Sequence, residues 1–171
     1  LFESIYATED GKVWKVKLRD GLKWSDGEPI TGQDLIFTAN LIKNPRVNSI
    51  YSTNLANVTV EAGEDDEVIF TLPVAFADFM SALDFPIVPE HVLKDVDPQV
   101  LVEHQFSSTP TTSGAFMFNA VQPTTKLGEK VFYLSANPEY YRGQTMLSSF
   151  VVHTYEDKAE IIEALNSGVV T

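Results

Sequence analysis

Apolar and basic side chains alternate along residues 12–19, which makes this stretch the clearest extended segment of the chain. One face consists of Trp14, Val16 and Leu18, and the other consists of Lys15, Lys17 and Arg19. Val13 breaks the alternation. A period of two residues is typical of a strand with one buried face. Asp-Gly pairs at 10–11 and 20–21 favour tight turns, so we predict a strand bounded by turns.

The apolar spacing then changes to that of a helix. Its stripe consists of Leu35, Ala39 and Ile42, which recur at intervals of three to four residues. Thr31 is a natural N-cap, and Asp34 three positions later gives a weaker form of the Thr-x-x-Glu capping box. Because Pro45 disfavours helical geometry in the residue before it, the helix is predicted to end at Asn44.

The remaining pattern predicts short strands and helices in mixed order. Strands are predicted at 22–24, 57–61, 68–72, 115–121, 130–136 and 148–155, and helices at 76–83, 90–94, 98–105 and 157–167. Trp24, between Asp-Gly turns at 20–21 and 26–27, is expected to anchor that loop by packing. The Ser/Thr-rich stretch 107–113 is the best candidate for a domain boundary. The fold class is therefore α/β (mixed α+β).

Composition limits the classes of partner. The 171 residues are 44% hydrophobic, enough for a core in one domain or two small ones. A net charge of −12 without a basic run argues against nucleic acid as a partner. No apolar run reaches the roughly 18 residues of a membrane span. The absence of cysteine excludes disulfides and thiolate ligands, and it leaves the compartment open.

Candidate catalytic and metal-binding groups lack the spacing that their chemistry needs. The contiguous carboxylates 64–67 do not alternate as calcium ligands do, so a solubilising hairpin turn is the better interpretation. His91, His104 and His153 are isolated in sequence, which disfavours a metal site. Ser113 stands outside any G-x-S-x-G motif, so a hydrolase is the weaker alternative. We predict no catalytic residue, no metal ligand and no cofactor.

Several short motifs follow one another along the chain. They are LFESI at 1–5, DGKVWKVKLRDGLKWSDGEPIT at 10–31, DLIF at 34–37, PIVPEH at 86–91, SGAF at 113–116, NPEYY at 137–141 and ALNSG at 164–168. In this order they resemble the family 5 extracellular solute-binding proteins, the peptide-type receptors of ABC importers. Three positions depart from the family pattern: Ala115 replaces a proline, Phe116 replaces a tyrosine, and 169–171 replace an E-I-D ending.

The resemblance implies a fragment of a type-II-like periplasmic binding protein, since family members are considerably longer. Residues 1–110 would form a small α+β domain of the first lobe, and residues 111–171 part of the lobe I binding core. The remaining segments of the same receptor would complete the structure. A self-contained protein-interaction module is the alternative, and it would expose a large apolar patch.

The resemblance also implies the function and the site. The receptor would capture an extracellular solute, most simply an oligopeptide or dipeptide, and deliver it to an ABC transporter permease without acting as an enzyme. It would be periplasmic, or extracellular and membrane-associated, with a lipoprotein form allowed. The ligand-binding residues would be Tyr51, near the solute cleft, together with a loop near the hinge, namely Ser113, Gly114, Ala115 and Phe116.

Overall fold

Two antiparallel sheets and five helices make up the computed structural model, which describes residues 1–8, 10–124 and 129–170. The strands are β1 (Phe2–Ala7), β2 (Val13–Leu18), β3 (Thr59–Ala62), β4 (Glu67–Thr71), β5 (Phe116–Pro123), β6 (Lys130–Ala136) and β7 (Ser149–His153). The helices are α1 (Gly32–Lys43), α2 (Ser52–Leu55), α3 (Phe79–Ala82), α4 (Glu90–Leu93) and α5 (Lys158–Asn166). The mixed α/β prediction is confirmed. Thr171, part of the departing C-terminal stretch, lies outside the described residues.

The first sheet has the strand order β1-β2-β4-β3. The predicted alternation of β2 is confirmed, because Trp14, Val16 and Leu18 are buried. Trp14 lies opposite Phe70 of β4, and Val16 lies opposite Val68. Helix α1 packs its apolar stripe on this face, so the main core lies between α1 and the first sheet.

Both ends of α1 follow the sequence prediction. Thr31 and Asp34 form a complete capping box: the Thr31 hydroxyl accepts from the helix N-terminus, and the Asp34 carboxylate accepts from the Thr31 N–H at 2.9 Å. Asn44 caps the other end in an extended conformation, as Pro45 requires. The shorter aspartate therefore closes the capping box in place of the usual glutamate.

The acidic turn between β3 and β4 has a second role that the sequence did not reveal. Asp65 and Asp66 both have positive φ angles, 50° and 61°, and Glu67 N–H donates to the carbonyl of Glu64. These features fit a two-residue hairpin turn of the primed type. In addition, the Asp66 carboxylate accepts a hydrogen bond from the N–H of Gly32 at 3.1 Å. The turn thus caps α1 as well as closing the hairpin.

Several predicted element boundaries are wrong. The helix at 98–105 is replaced by two 3-10 turns, Pro98–Val100 and Gln105–Ser107, because the side chains of Asp97 and His104 each cap a new turn. The strand at 22–24 is reduced to one bridge between Lys23 and Pro29. The helix at 76–83 is shortened to α3. Strand β1 and helix α2 were not predicted.

The second sheet, in the order β5-β6-β7, is only partly covered by the described residues. Exposed apolar side chains lie on β7 and α5, namely Phe150, Val151, Val152, Ile161, Ile162 and Leu165. Helix α5 begins at the Asp157 N-cap and ends before Gly168, whose φ is 75°. These are the predicted start and stop. Among the described residues, no helix has the length and apolar character needed to cross a membrane.

Candidate functional site

The loop that carries Trp24 joins the two sheets. Trp24 is 1% exposed and packs in a second core cluster, whose other buried members are Leu18, Leu22 and Ile30. Tyr141, which follows β6, packs against the same cluster. Lys23 forms an ion pair with Glu139 at 2.9 Å. The prediction that Trp24 anchors its loop is confirmed, and the anchored loop also contacts the segment that follows β6 in the second sheet.

Ser25 holds the start of segment 112–116, which contains the predicted ligand-binding loop. The Ser25 N–H donates to the carbonyl of Thr112 at 2.7 Å. In return, the Thr112 N–H donates to the Ser25 hydroxyl at 3.0 Å. Two reciprocal hydrogen bonds therefore fix the segment to the Trp24 loop at this point.

Asn137, just after β6, holds the other half of the segment. Its side chain is 0% exposed, and its amide nitrogen donates to the carbonyl of Gly114 at 2.8 Å. Its backbone N–H donates to the carbonyl of Ala115 at 3.0 Å. Its amide oxygen accepts from the N–H of Glu139 at 3.0 Å. Every one of these polar groups of Asn137 is therefore paired.

The middle of the segment presents backbone donors. In the part of the chain that the structure describes, the N–H groups of Ser113, Gly114 and Ala115 donate to no protein acceptor. Gly114 is exposed, and a Cβ built on it would meet no atom within 4 Å. Its φ is also not in the left-handed region. Neither packing nor backbone strain requires a glycine here, whereas close approach of a ligand to the backbone would.

The fourth residue of the predicted loop, Phe116, is the first residue of β5. Its ring is 5.8 Å from that of Phe150 on β7, so it packs over the second sheet. Ser113 and Ala115 are half-buried.

Tyr51 lies in different surroundings from the loop. It precedes α2 and is half-buried against the main core, with its ring 6.3 Å from that of Phe85. Its N–H donates to the Ser49 hydroxyl at 3.3 Å. The contacts described for Tyr51 share no residue with those of segment 112–116. The structure therefore leaves the predicted site in two separate parts.

The three histidines lie apart from one another. His91 donates from Nε2 to the Asp26 carboxylate at 3.0 Å, His104 accepts at Nδ1 from the N–H of Phe106, and His153 stacks on Tyr155. Within the described ranges, no three His, Cys, Asp or Glu side chains come close enough to hold a metal ion. The His91 contact links α4 to the Trp24 loop.

The Asp26 carboxylate, which accepts the hydrogen bond from His91, has a shifted pKa. Burial alone would raise the pKa of Asp26, but the hydrogen bonds from His91 and from the N–H of Glu28 hold it below its usual value. The charged form of Asp26 is therefore favoured in the folded protein.

Sequence reasoning missed Ser25 and Asn137. One signal was available for Asn137, because an Asn-Pro pair favours a turn in which the asparagine side chain bonds the backbone two residues on. No pattern in the sequence pointed to the Ser25–Thr112 pair, whose members are 87 positions apart.

The comparisons with known proteins agree with one another. The family model described as bacterial extracellular solute-binding proteins, family 5 Middle, matches residues 1–171. The oligopeptide-binding protein AppA of Bacillus subtilis is 30% identical over 172 residues, covering 98% of this chain and 31% of the relative. The AppA structure in complex with a nonapeptide gives a TM-score of 0.86 at 29% identity, covering 99% of this chain and 33% of that one.

A structure solved with a different ligand is equally similar in fold. NikZ from Campylobacter jejuni, in complex with Ni(L-His), gives a TM-score of 0.86 at 25% identity, and the match covers 99% of this chain and 33% of that one. The chain thus spans about a third of the length of the proteins to which it is similar.

Proposed function

The chain belongs to the bacterial extracellular solute-binding proteins of family 5, and we propose that the complete protein binds an oligopeptide or dipeptide and delivers it to an ABC permease. The names of the relatives support this ligand class, since AppA is an oligopeptide-binding protein and another relative is a dipeptide-binding protein. The family implies a periplasmic or extracellular location. The proposal includes association of the receptor with the membrane, with or without a lipid anchor.

The backbone of segment 112–116 is the observation that carries the proposal. Its carbonyl groups at Thr112, Gly114 and Ala115 are occupied by the protein, while the N–H groups at 113–115 are available. Backbone donors recognise the carbonyl and carboxylate oxygens that every peptide carries, whatever its side chains. Ser113, Gly114, Ala115 and Phe116 would thus contact the ligand, and Tyr51 would offer an aromatic face from the other domain.

The domain division is part of the same proposal. Residues 1–110, which contain the first sheet, would be a small domain of the first lobe, and residues 111–171 would belong to the lobe I binding core. Closure of two lobes around the ligand is the mechanism that such an architecture supports. It forms and breaks no covalent bond, so the protein would need no catalytic residue and no cofactor.

The remaining segments of the same receptor would complete the second sheet. The exposed apolar side chains of β7 and those of α5 support this, because large exposed apolar surfaces mark sites of contact with other protein. The ligand would bind between this part and those segments, and the isolated chain would bind it weakly or not at all.

The test is the identity of the ligand that co-purifies with the complete product of the gene. The protein is purified without refolding, its ligands are released with acid, and they are identified by mass spectrometry. We expect oligopeptides of mixed sequence in stoichiometric amount. Recovery of only a metal–histidine chelate, or of another non-peptide solute, would overturn the peptide assignment. Hydrolysis of added peptides would instead indicate an enzyme.

A further inference from the structure

We propose that Asn137 is a positioning residue for ligand binding: it turns the backbone of segment 112–116 so that its N–H groups face the ligand. The proposal rests on the proposed function, because it assumes that this segment contacts the bound solute. Asn137 itself is fully buried and would not touch the ligand.

The geometry of a trans peptide unit explains how Asn137 acts. In such a unit the C=O and the N–H point in opposite directions, and no described peptide bond is cis. Asn137 draws the carbonyl of Gly114 inward through a hydrogen bond of 2.8 Å. The N–H of Ala115, which belongs to the same peptide unit, must therefore point away from Asn137.

A second peptide unit is fixed in the same way. The backbone N–H of Asn137 donates to the carbonyl of Ala115, which turns the N–H of Phe116 outward. At the other end of the segment, the Ser25 N–H holds the carbonyl of Thr112 and so turns the N–H of Ser113 away from the Trp24 loop. The orientation of the segment thus depends on one buried side chain and on backbone bonds.

Asparagine is the residue type that this position requires. Its amide donates to Gly114 through Nδ2 and accepts from the N–H of Glu139 through Oδ1. An ionised aspartate has the same shape but no donor, and alanine has neither group. Asn137→Asp therefore removes the hydrogen bond to the Gly114 carbonyl and keeps the acceptor for the Glu139 N–H. Its effect can be assigned to the bond with Gly114 rather than to the turn at Glu139.

The experiment measures peptide retention by the complete gene product, with a tryptic digest of casein as the probe. The variants are Asn137→Ala and Asn137→Asp, each assayed well below its own melting temperature. Val60→Ala, which alters the main core, is the control for a loss of stability alone.

We expect both Asn137 variants to bind the digest about tenfold more weakly, the effect of losing one well-placed interaction. Val60→Ala should change the apparent affinity less than about threefold, although it melts at a lower temperature. A folded Asn137→Ala protein with wild-type affinity would overturn the positioning role and leave the proposed function intact. A wild-type protein that retains no peptide would overturn the proposed function, and this inference with it.

Discussion

Asp34, in the first turn of α1, accepts a hydrogen bond from the backbone N–H of Glu90 at 2.9 Å, although the two residues are 56 positions apart. The other oxygen of the same carboxylate accepts from the N–H of Thr31 at 2.9 Å. Nearby, the Thr38 hydroxyl accepts from the N–H of Val88 at 2.9 Å. The N-terminal half of α1 therefore holds the extended segment that leads into α4.

Asp34→Asn should destabilise the protein because it replaces one of two required acceptors with a donor. Asp34 is 4% exposed, so the N–H that loses its partner has little access to water. We expect the free energy of unfolding to fall by about 1–3 kcal/mol. Urea denaturation of the purified protein measures this change.

The control is Asp84→Asn, since the Asp84 carboxylate is exposed. This substitution should change the free energy of unfolding by less than about 0.5 kcal/mol. Equal effects of the two substitutions would contradict the role of Asp34.

Asp65 and Asp66 share a left-handed backbone conformation but differ in one contact. Glycine at either position relieves a steric cost of up to about 1–2 kcal/mol. Only Asp66 also bonds the N–H of Gly32 at the start of α1. We therefore expect Asp66→Gly to be less stable than Asp65→Gly by about 1 kcal/mol, the usual contribution of a cap. Thermal unfolding of the two variants makes the comparison, and identical melting temperatures would show that the Asp66 contact contributes nothing.

The Asp26–His91 pair predicts a small loss of stability in acid. Because its pKa is lowered on folding, ionised Asp26 contributes stability that is present above its unfolded pKa, near 4, and is lost as the pH falls through the lower folded value. Both side chains are about one third exposed, so the contribution should lie within about 0.2–1 kcal/mol.

The matched variant for this pair is Asp26→Asn. The difference in melting temperature between wild type and Asp26→Asn should be present above about pH 4 and should shrink as the pH falls through the lowered folded-state pKa of Asp26. A difference that persists unchanged in strong acid would mean that the charge of Asp26 plays no part.

Gly114→Val should lower ligand affinity without lowering stability. A Cβ at this position meets no atom within 4 Å and the backbone φ is not left-handed, so the free energy of unfolding should change by less than about 0.5 kcal/mol. A branched side chain would nevertheless keep a peptide from the neighbouring N–H groups. Peptide retention by the complete protein should fall about tenfold, which corresponds to about 1.4 kcal/mol. Unchanged peptide retention by the variant would show that Gly114 does not contact the ligand.

The apolar face of α5 should be covered in the complete protein. Ile162 and Leu165 are exposed here, as is Glu163 between them. If other segments of the receptor cover the apolar pair, the double substitution Ile162→Gln with Leu165→Gln should lower the free energy of unfolding of the complete protein by about 1 kcal/mol or more. Its melting temperature should fall accordingly. Glu163→Gln is the control and should have little effect. An unchanged melting temperature in the double variant would show that this face stays in water.

Local features of the fold were predictable because neighbouring residues determine them. The alternation of β2, the Thr31 cap and the stop before Pro45 each depend on residues within a few positions of one another, and all three are confirmed. Strand β1 escaped prediction because its bulge between Phe2 and Ser4 breaks the two-residue period. The helix at 98–105 was wrong because the His104 side chain caps a second turn.

The surroundings of the candidate site were not predictable in the same way. Segment 112–116 was identified through its resemblance to a family, but its supports at Ser25 and Asn137 depend on hydrogen bonds between positions 87 and 23 apart in the chain. Such contacts leave no period in the sequence. They accompany the packing of the partly buried Tyr141 against the cluster that contains Trp24, a contact that forms only in the folded protein.

The most direct measurement compares calorimetric titrations of the complete gene product and of residues 1–171 alone, using one peptide recovered from the complete protein. If this chain is one part of a peptide receptor, the complete protein will bind that peptide with a defined stoichiometry, and the isolated part will give no measurable heat of binding. The claim that this chain is one part of a peptide receptor would be contradicted if the isolated part bound the peptide with equal affinity, or if the complete protein did not bind it.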